Sequence, residues 1–193
     1  DMFFKFQKLV GVLVIPLGVG IYLFRDLITE ILLGDQWLEA SGFIGLWGLT
    51  SAVTIVLGHY ASEVYRAIGK PKLSVLAQWL HIVVLIPVIM IFVNKGFESL
   101  CAARSLVRLE LVVVQLMLMR VAVKMDIGRM FLNILPSSLA AGAMMLVLLL
   151  PSSSSLGAQF LYIMLCICIY FMVLMLFPEE RHICLNLKFQ FKR

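Results

Sequence analysis

The residues best equipped for chemistry crowd into one apolar stretch, Arg104-Ser105-Leu106-Val107-Arg108-Leu109-Glu110. On a helix Arg104, Arg108 and Gln115 share a face, at spacings of four and seven. Glu110 stands roughly 200° round from Arg108 and points elsewhere. If such a helix crosses a bilayer, Arg108 and Glu110 lie near its midplane. A charge there costs at least ~2.5 kcal/mol even on the lenient insertion scale, so it faces protein or water. Arg104, Arg108 and Gln115 are therefore candidates to line a cavity for an anionic substrate. Glu110 and His81 are candidates for coupling transport to an ion. The competing reading is structural: the helix starts later, and Arg104 reaches outward to the surface.

Little else in the chain carries chemistry. There is no GxSxG, HExxH, GxxxxGK[ST] or GxGxxG pattern. His59 and His81 have no nearby Cys or carboxylate cluster of ligand spacing, and Cys101, Cys166, Cys168 and Cys184 form no CxxC pair. The cysteines read as small hydrophobes. No catalytic residue, metal or cofactor is expected, and the expected class is not an enzyme.

The elements that position these residues follow from composition. The chain has 193 residues, 62% hydrophobic and 14% charged, with mean hydropathy +1.04. A soluble domain averages roughly 45–50% apolar and about 25% charged, and one core of this size could not hide the excess. A transmembrane barrel would alternate apolar and polar residues, whereas these runs are continuous. The expected fold is an all-α polytopic bundle. Its six spans fall at about Leu9–Leu33, Ala40–Ser62, Leu73–Asn94, Ser99–Val123, Met130–Leu150 and Leu156–Phe177. Pro16 and Pro87 lie inside the first and third, and Gly34 is the expected stop of the first.

Charge sets the orientation. Twelve of the sixteen basic residues fall before span one, in the loops after spans two and four, or in the tail. Both termini are thus expected in the cytoplasm. The net charge of +5 is a topology signal, not a nucleic-acid one. In the second basic loop, Gly69 suits a left-handed position past a helix and Pro71 forbids continuation. Glu63, Arg66 and Lys70 share one face there, either as a solvated end that anchors the helix or as a cytoplasmic gate. Ser41, Gly42, Gly45, Gly48, Ser51 and Ala52 in span two predict close helix packing. Trp47 needs no cofactor, and Trp37 sits at an interfacial level.

The order Lys8…Pro16, then Ile31-Leu32-Leu33-Gly34-Asp35-Gln36-Trp37-Leu38-Glu39-Ala40, then Arg66-Ala67-Ile68-Gly69-Lys70-Pro71 resembles the Wzx-type oligosaccharide flippase family. Its superfamily also holds multidrug exporters and the flippase of the lipid-linked peptidoglycan precursor. Ile68 stands where that family often has Leu. Gly96–Ala103 departs from the small apolar stretch usual there, which weakens any transfer of roles around Arg104. The resemblance implies two lobes around a central cavity in a 12–14-helix fold. Residues 1–125 would supply four helices of the C-terminal lobe, 126–178 two additional helices, and 179–193 a cytoplasmic basic tail. The opening DMFFKFQKLV reads as the interior of a longer polypeptide, with the N-terminal lobe as its missing partner.

The function so implied is flipping of a polyprenyl-diphosphate-linked oligosaccharide across a bacterial inner membrane by alternating access. The expected partners are that lipid-linked sugar and membrane lipids, with no nucleic acid. The alternatives are a cation-coupled multidrug exporter, a membrane-embedded enzyme on lipid-linked sugars and a non-catalytic scaffold subunit. Arg104 and Arg108 count against the first of these. The absent motifs and short loops count against the second, and the midplane charges against the third.

Overall fold

The computed structural model describes residues 2–149, 156–178, 180 and 181. The expected outer loop Pro151–Ser155, Cys184 and the tail beyond residue 181 lie outside the described residues. Helix α1 spans Met2–Leu23 and contains Pro16. The chain turns at Phe24 (φ −107°, ψ 25°) into a short helix, α2, over Arg25–Leu33. The first span is thus not Leu9–Leu33. It starts earlier, because Lys5 and Lys8 belong to the helix, and the 21 mainly apolar residues from Phe3 to Leu23 already give about 30 Å. Arg25, Asp26 and Glu30 then fall past the hydrocarbon, on α2. Gly34 (φ 89°) ends α2, its N–H donating to the Glu30 carbonyl at 3.0 Å.

The second rod is continuous from Asp35 to Ala67. A 3₁₀ segment, Asp35–Ala40, leads into α3 (Ser41–Thr54), a π-turn at Ile55–His59 and α4 (Tyr60–Ala67). The small residues of α3 do bring backbones together. Ile21 Cγ2 lies 2.6 Å from where a Cβ on Gly48 would stand, and a Cβ on Gly18 would collide with that of Ala52. Gly42, by contrast, faces open space.

Past α4 the chain turns as its sequence predicts. Gly69 adopts φ 71°. The Lys70 N–H donates to the Tyr65 carbonyl (2.8 Å) and the Gly69 N–H to that of Arg66 (3.0 Å), which satisfies two carbonyls of the helix end. Helix α5 (Lys72–Phe92) follows, then a tight turn through Val93–Lys95 and Gly96, and α6 (Phe97–Leu118). A second π-turn, Met119–Val123, precedes α7 (Ile127–Met144), whose first turn is capped by the Asp126 carboxylate accepting the Arg129 N–H. A 3₁₀ segment, Met145–Leu149, closes that rod, and the last helix, α8, spans Leu156–Leu174.

Among the described residues five rods are long and apolar enough to cross a membrane: Phe3–Leu23, Asp35–Ala67, Lys72–Lys95, Ile127–Val147 and Gly157–Leu174. The remaining expected span, α6, has the length at 22 residues but carries Glu98, Arg104, Arg108 and Glu110. The rods run alternately up and down. Phe3, Phe4, Tyr65, Leu73, Met119 and Met130 cluster at one end, and Lys8 meets Glu180, beyond α8, at 3.0 Å. α1 lies centrally, against α3 on one side and α7 on the other. An apolar core of Val12, Val19, Ala140, Met144, Cys166 and Leu174 joins α1, α7 and α8. Outward faces are also apolar, as at Val75, Trp79, Val83 and Met90 on α5. That exterior suits lipid, not water. Among the described residues the regular structure is all helical, and its apolar rods make this a membrane protein.

Candidate functional site

The charged helix α6 is wedged between α5 and the second rod. It runs parallel to that rod with a constant residue offset: Arg104 meets Trp47, Arg108 meets Ser51, and Gln115 meets Gly58. The three polar residues expected on one face of α6 therefore do turn to one neighbour.

Their surroundings differ. Arg108, midway along α6, donates from Nη1 to Ser51 Oγ at 2.6 Å, and its guanidinium carbon lies 4.1 Å from the Trp47 ring centroid. Arg104 stacks on the same indole at 5.3 Å. A desolvated cation–π contact is worth about 2 kcal/mol, so one tryptophan holds two like charges in place. Among the described residues, Arg104 Nη1 is buried with no hydrogen-bond partner. A cleft of about 450 Å³ opens between the starts of α3 and α6. Its charged lining is Arg25, Glu39 and Glu98, one cation and two carboxylates, beside Phe43, Cys101 and Ala102, and neither Trp47 nor Arg104 is part of the wall. Arg104 is half-buried, with its Nη1 enclosed.

Gln115 is not beside that cleft. It is 4% exposed and packed so tightly on the π-turn that a Cβ on Gly58 would strike its Oε1. Its backbone carbonyl accepts the Tyr65 hydroxyl at 2.9 Å. Gln115 ties α6 to the second rod.

On the opposite side of α6, Glu110 Oε2 lies 3.0 Å from His81 Nδ1 on α5. His81 is 8% exposed. The sequence reading put both residues in one role without pairing them. The pairing signal was present, because His81 and Glu110 are equidistant from the Lys95–Gly96 turn, and residues so placed meet across an antiparallel helical hairpin. Trp47 and Ser51 were missed as site residues because aromatic and small residues in a membrane helix read as packing.

The gate candidates lie at the basic end. Glu63 and Arg66 pair at 3.2 Å with both side chains well exposed, and Lys70 is exposed in the glycine turn. They form a solvated surface patch, away from the guanidinium pair. Among the described residues no three His, Cys, Asp or Glu side chains gather closely enough to hold a metal ion. The site holds no nucleophile beside a base.

Comparison with known proteins adds one match. Residues 1–42 match the family model described as polysaccharide biosynthesis protein. No curated protein and no solved structure matches the chain. The matched segment covers α1, α2 and the start of α3, including the Pro16 and Gly34–Ala40 features. It stops short of α6.

Proposed function

We propose that this chain is part of a bacterial inner-membrane flippase that carries a polyprenyl-diphosphate-linked oligosaccharide outward for surface polysaccharide synthesis. The observation that carries this reading is the guanidinium pair held on Trp47 at mid-depth, with a buried N–H of Arg104 unmet. An unsatisfied buried donor costs about 1–3 kcal/mol, more when charged, and an anionic oxygen there would relieve it through a charge-assisted bond. The polysaccharide biosynthesis match over residues 1–42 supports the same pathway class.

In this reading α6 is the fourth of six crossings, since it returns alongside α5 from a tight turn. Both termini and the Gly69–Lys72 turn are cytoplasmic, and α2 is external. A second lobe of the same polypeptide completes the cavity, and rocking of the two lobes gives alternating access. The test is reconstitution of the full-length protein in proteoliposomes with a fluorescent polyprenyl-diphosphate oligosaccharide. Arg104→Gln is expected to slow flipping at least about tenfold, an interaction near 1.4 kcal/mol. An unchanged rate at equal insertion contradicts the reading. The His81–Glu110 pair favours a second reading, cation-coupled export of a drug-like cation. Flux of a cationic dye in the same vesicles, without flipping of the lipid-linked sugar, would establish that alternative instead.

A further inference from the structure

The cleft of about 450 Å³ between the starts of α3 and α6 is a site of its own, since its wall includes neither Trp47 nor Arg104. It lies at the end of the second rod opposite the Gly69 turn. The apolar run of α1 ends at Leu23, just before Arg25, and α6 begins at Phe97, directly after the Lys95–Gly96 turn. The second rod, 33 residues from Asp35 to Ala67, measures about 50 Å, so its ends stand beyond a hydrocarbon core of ~30 Å. The mouth of the cleft is therefore level with lipid headgroups.

Three charged side chains line it: Arg25, Glu39 and Glu98. Arg25 is held in place, its Cδ 2.9 Å from where a Cβ on Gly45 would stand and its guanidinium 5.4 Å from the Tyr22 ring centroid. Its ion-pair partner Asp26 is loose, at 3.8 Å and well exposed. Counted with or without that pair, the lining carries more negative than positive charge. Ser41 lines the same wall at 8% exposed, and its hydroxyl makes no hydrogen bond among the described residues. A buried polar group without a partner is costly, so a donor from outside would relieve it. Gly42 opens the floor, with nothing within 4 Å of where its Cβ would be. Phe43, Leu46 and Phe97 make the rest of the wall apolar.

We propose that this cleft binds the headgroup of phosphatidylethanolamine, its ammonium among Glu39, Glu98 and Ser41 and its phosphate toward Arg25. A primary ammonium has three N–H donors, and two carboxylates and a hydroxyl are there to accept them. Bonds of that kind are charge-assisted, roughly twice as strong as neutral ones. The trimethylated ammonium of phosphatidylcholine has no N–H to give. Phosphatidylglycerol brings no cation to offset two carboxylates. The site does not depend on what the guanidinium pair carries.

The test is retention by the purified full-length protein in native mass spectrometry. The probes are the dioleoyl forms of phosphatidylethanolamine, phosphatidylcholine and phosphatidylglycerol, and soluble glycerophosphoethanolamine. Phosphatidylethanolamine should bind at least about fivefold more tightly than either other lipid, within what one charge-assisted hydrogen bond supplies. Glu39→Gln combined with Glu98→Gln, both at exposed positions, should remove most of that preference. Gly42→Leu should also weaken it by filling the floor, and its side chain enters open space, so the protein should still fold. Equal binding of the three lipids overturns the proposal, as does tighter binding of phosphatidylglycerol or a preference that survives the paired Glu substitution. Glycerophosphoethanolamine bound as tightly as the lipid would assign the cleft to a soluble amine and overturn the lipid assignment.

Discussion

Midway along the bundle, the two sides of α1 hold their polar groups differently, although Lys8 and Glu180 pair at the end of the α1–α8 side. Toward α7 and α8, the Tyr170 hydroxyl donates to the Val12 carbonyl at 2.7 Å and the Asn133 amide to that of Phe4. These are neutral groups bonded to backbone, and they lock helices together. Across the bundle, α6 brings charges to mid-depth, stacks two of them on one indole and leaves a buried guanidinium N–H without a partner. Unmet neutral groups occur on both sides, since the Oε1 atoms of Gln115 and Gln159 are also buried without a hydrogen-bond partner among the described residues, whereas the unmet charged donor is on Arg104. In the proposed function the one unmet donor, Arg104 Nη1, is met by an anionic substrate.

The largest effect expected from challenging this contrast is at the α1–α3 contact. A side chain at Gly18 would strike Ala52 and the Gly48 carbonyl, 3.2 Å from a Cβ placed there. Gly18→Leu should destabilise the protein by about 1–3 kcal/mol, as overpacking does, and lower its level in membranes. Gly20→Leu, which enters open space, should leave the level near wild type. Similar losses from both would show that the contact is not the limiting one.

A middle-sized effect belongs to the other face of α6. A double-mutant cycle between His81→Gln and Glu110→Gln, read by unfolding in detergent, should give a coupling of about 1–2 kcal/mol, near the upper range for interhelical hydrogen bonds. The cycle between Arg108→Ala and Glu110→Gln should give a coupling within about 0.5 kcal/mol of zero, because the two residues have separate partners. A strong Arg108–Glu110 coupling would merge the two faces into one ion-pair network.

The smallest effect falls on the packing side. Tyr170→Phe deletes one buried hydroxyl bond and should cost about 0.6 kcal/mol, the average for such bonds in membranes. Its transport rate, measured in the same vesicles, should equal that of the wild type. A transport defect there would mean that the quiet side also takes part in the reaction.

Much of this arrangement is legible in the sequence because lipid imposes simple rules. Continuous apolar runs locate the rods, and Gly34 and Gly69 mark where α2 and α4 stop. The face shared by Arg104, Arg108 and Gln115 follows from helical spacing alone. The start of α1 is less legible, since Lys5 and Lys8 resemble a loop until Lys8 finds Glu180. Partners are harder still. Periodicity says which way a side chain points but not what stands opposite, so Trp47 and Ser51 emerge only once α3 lies parallel to α6. The same limit hid Gln115's role, because its neighbour is Gly58, a residue with no side chain to signal contact.

The central claim is that the Arg108 guanidinium serves an anionic substrate and not only the α3–α6 contact. The direct measurement compares export by Arg108→Ala and Arg108→Lys in the full-length protein, at matched membrane level. Arg108→Ala should lose at least about tenfold of export, and Arg108→Lys should restore part of it through charge without the planar fork. Insertion of both should stay near normal, because removing a central charge eases entry into the bilayer. Wild-type export from Arg108→Ala at equal level would contradict the account.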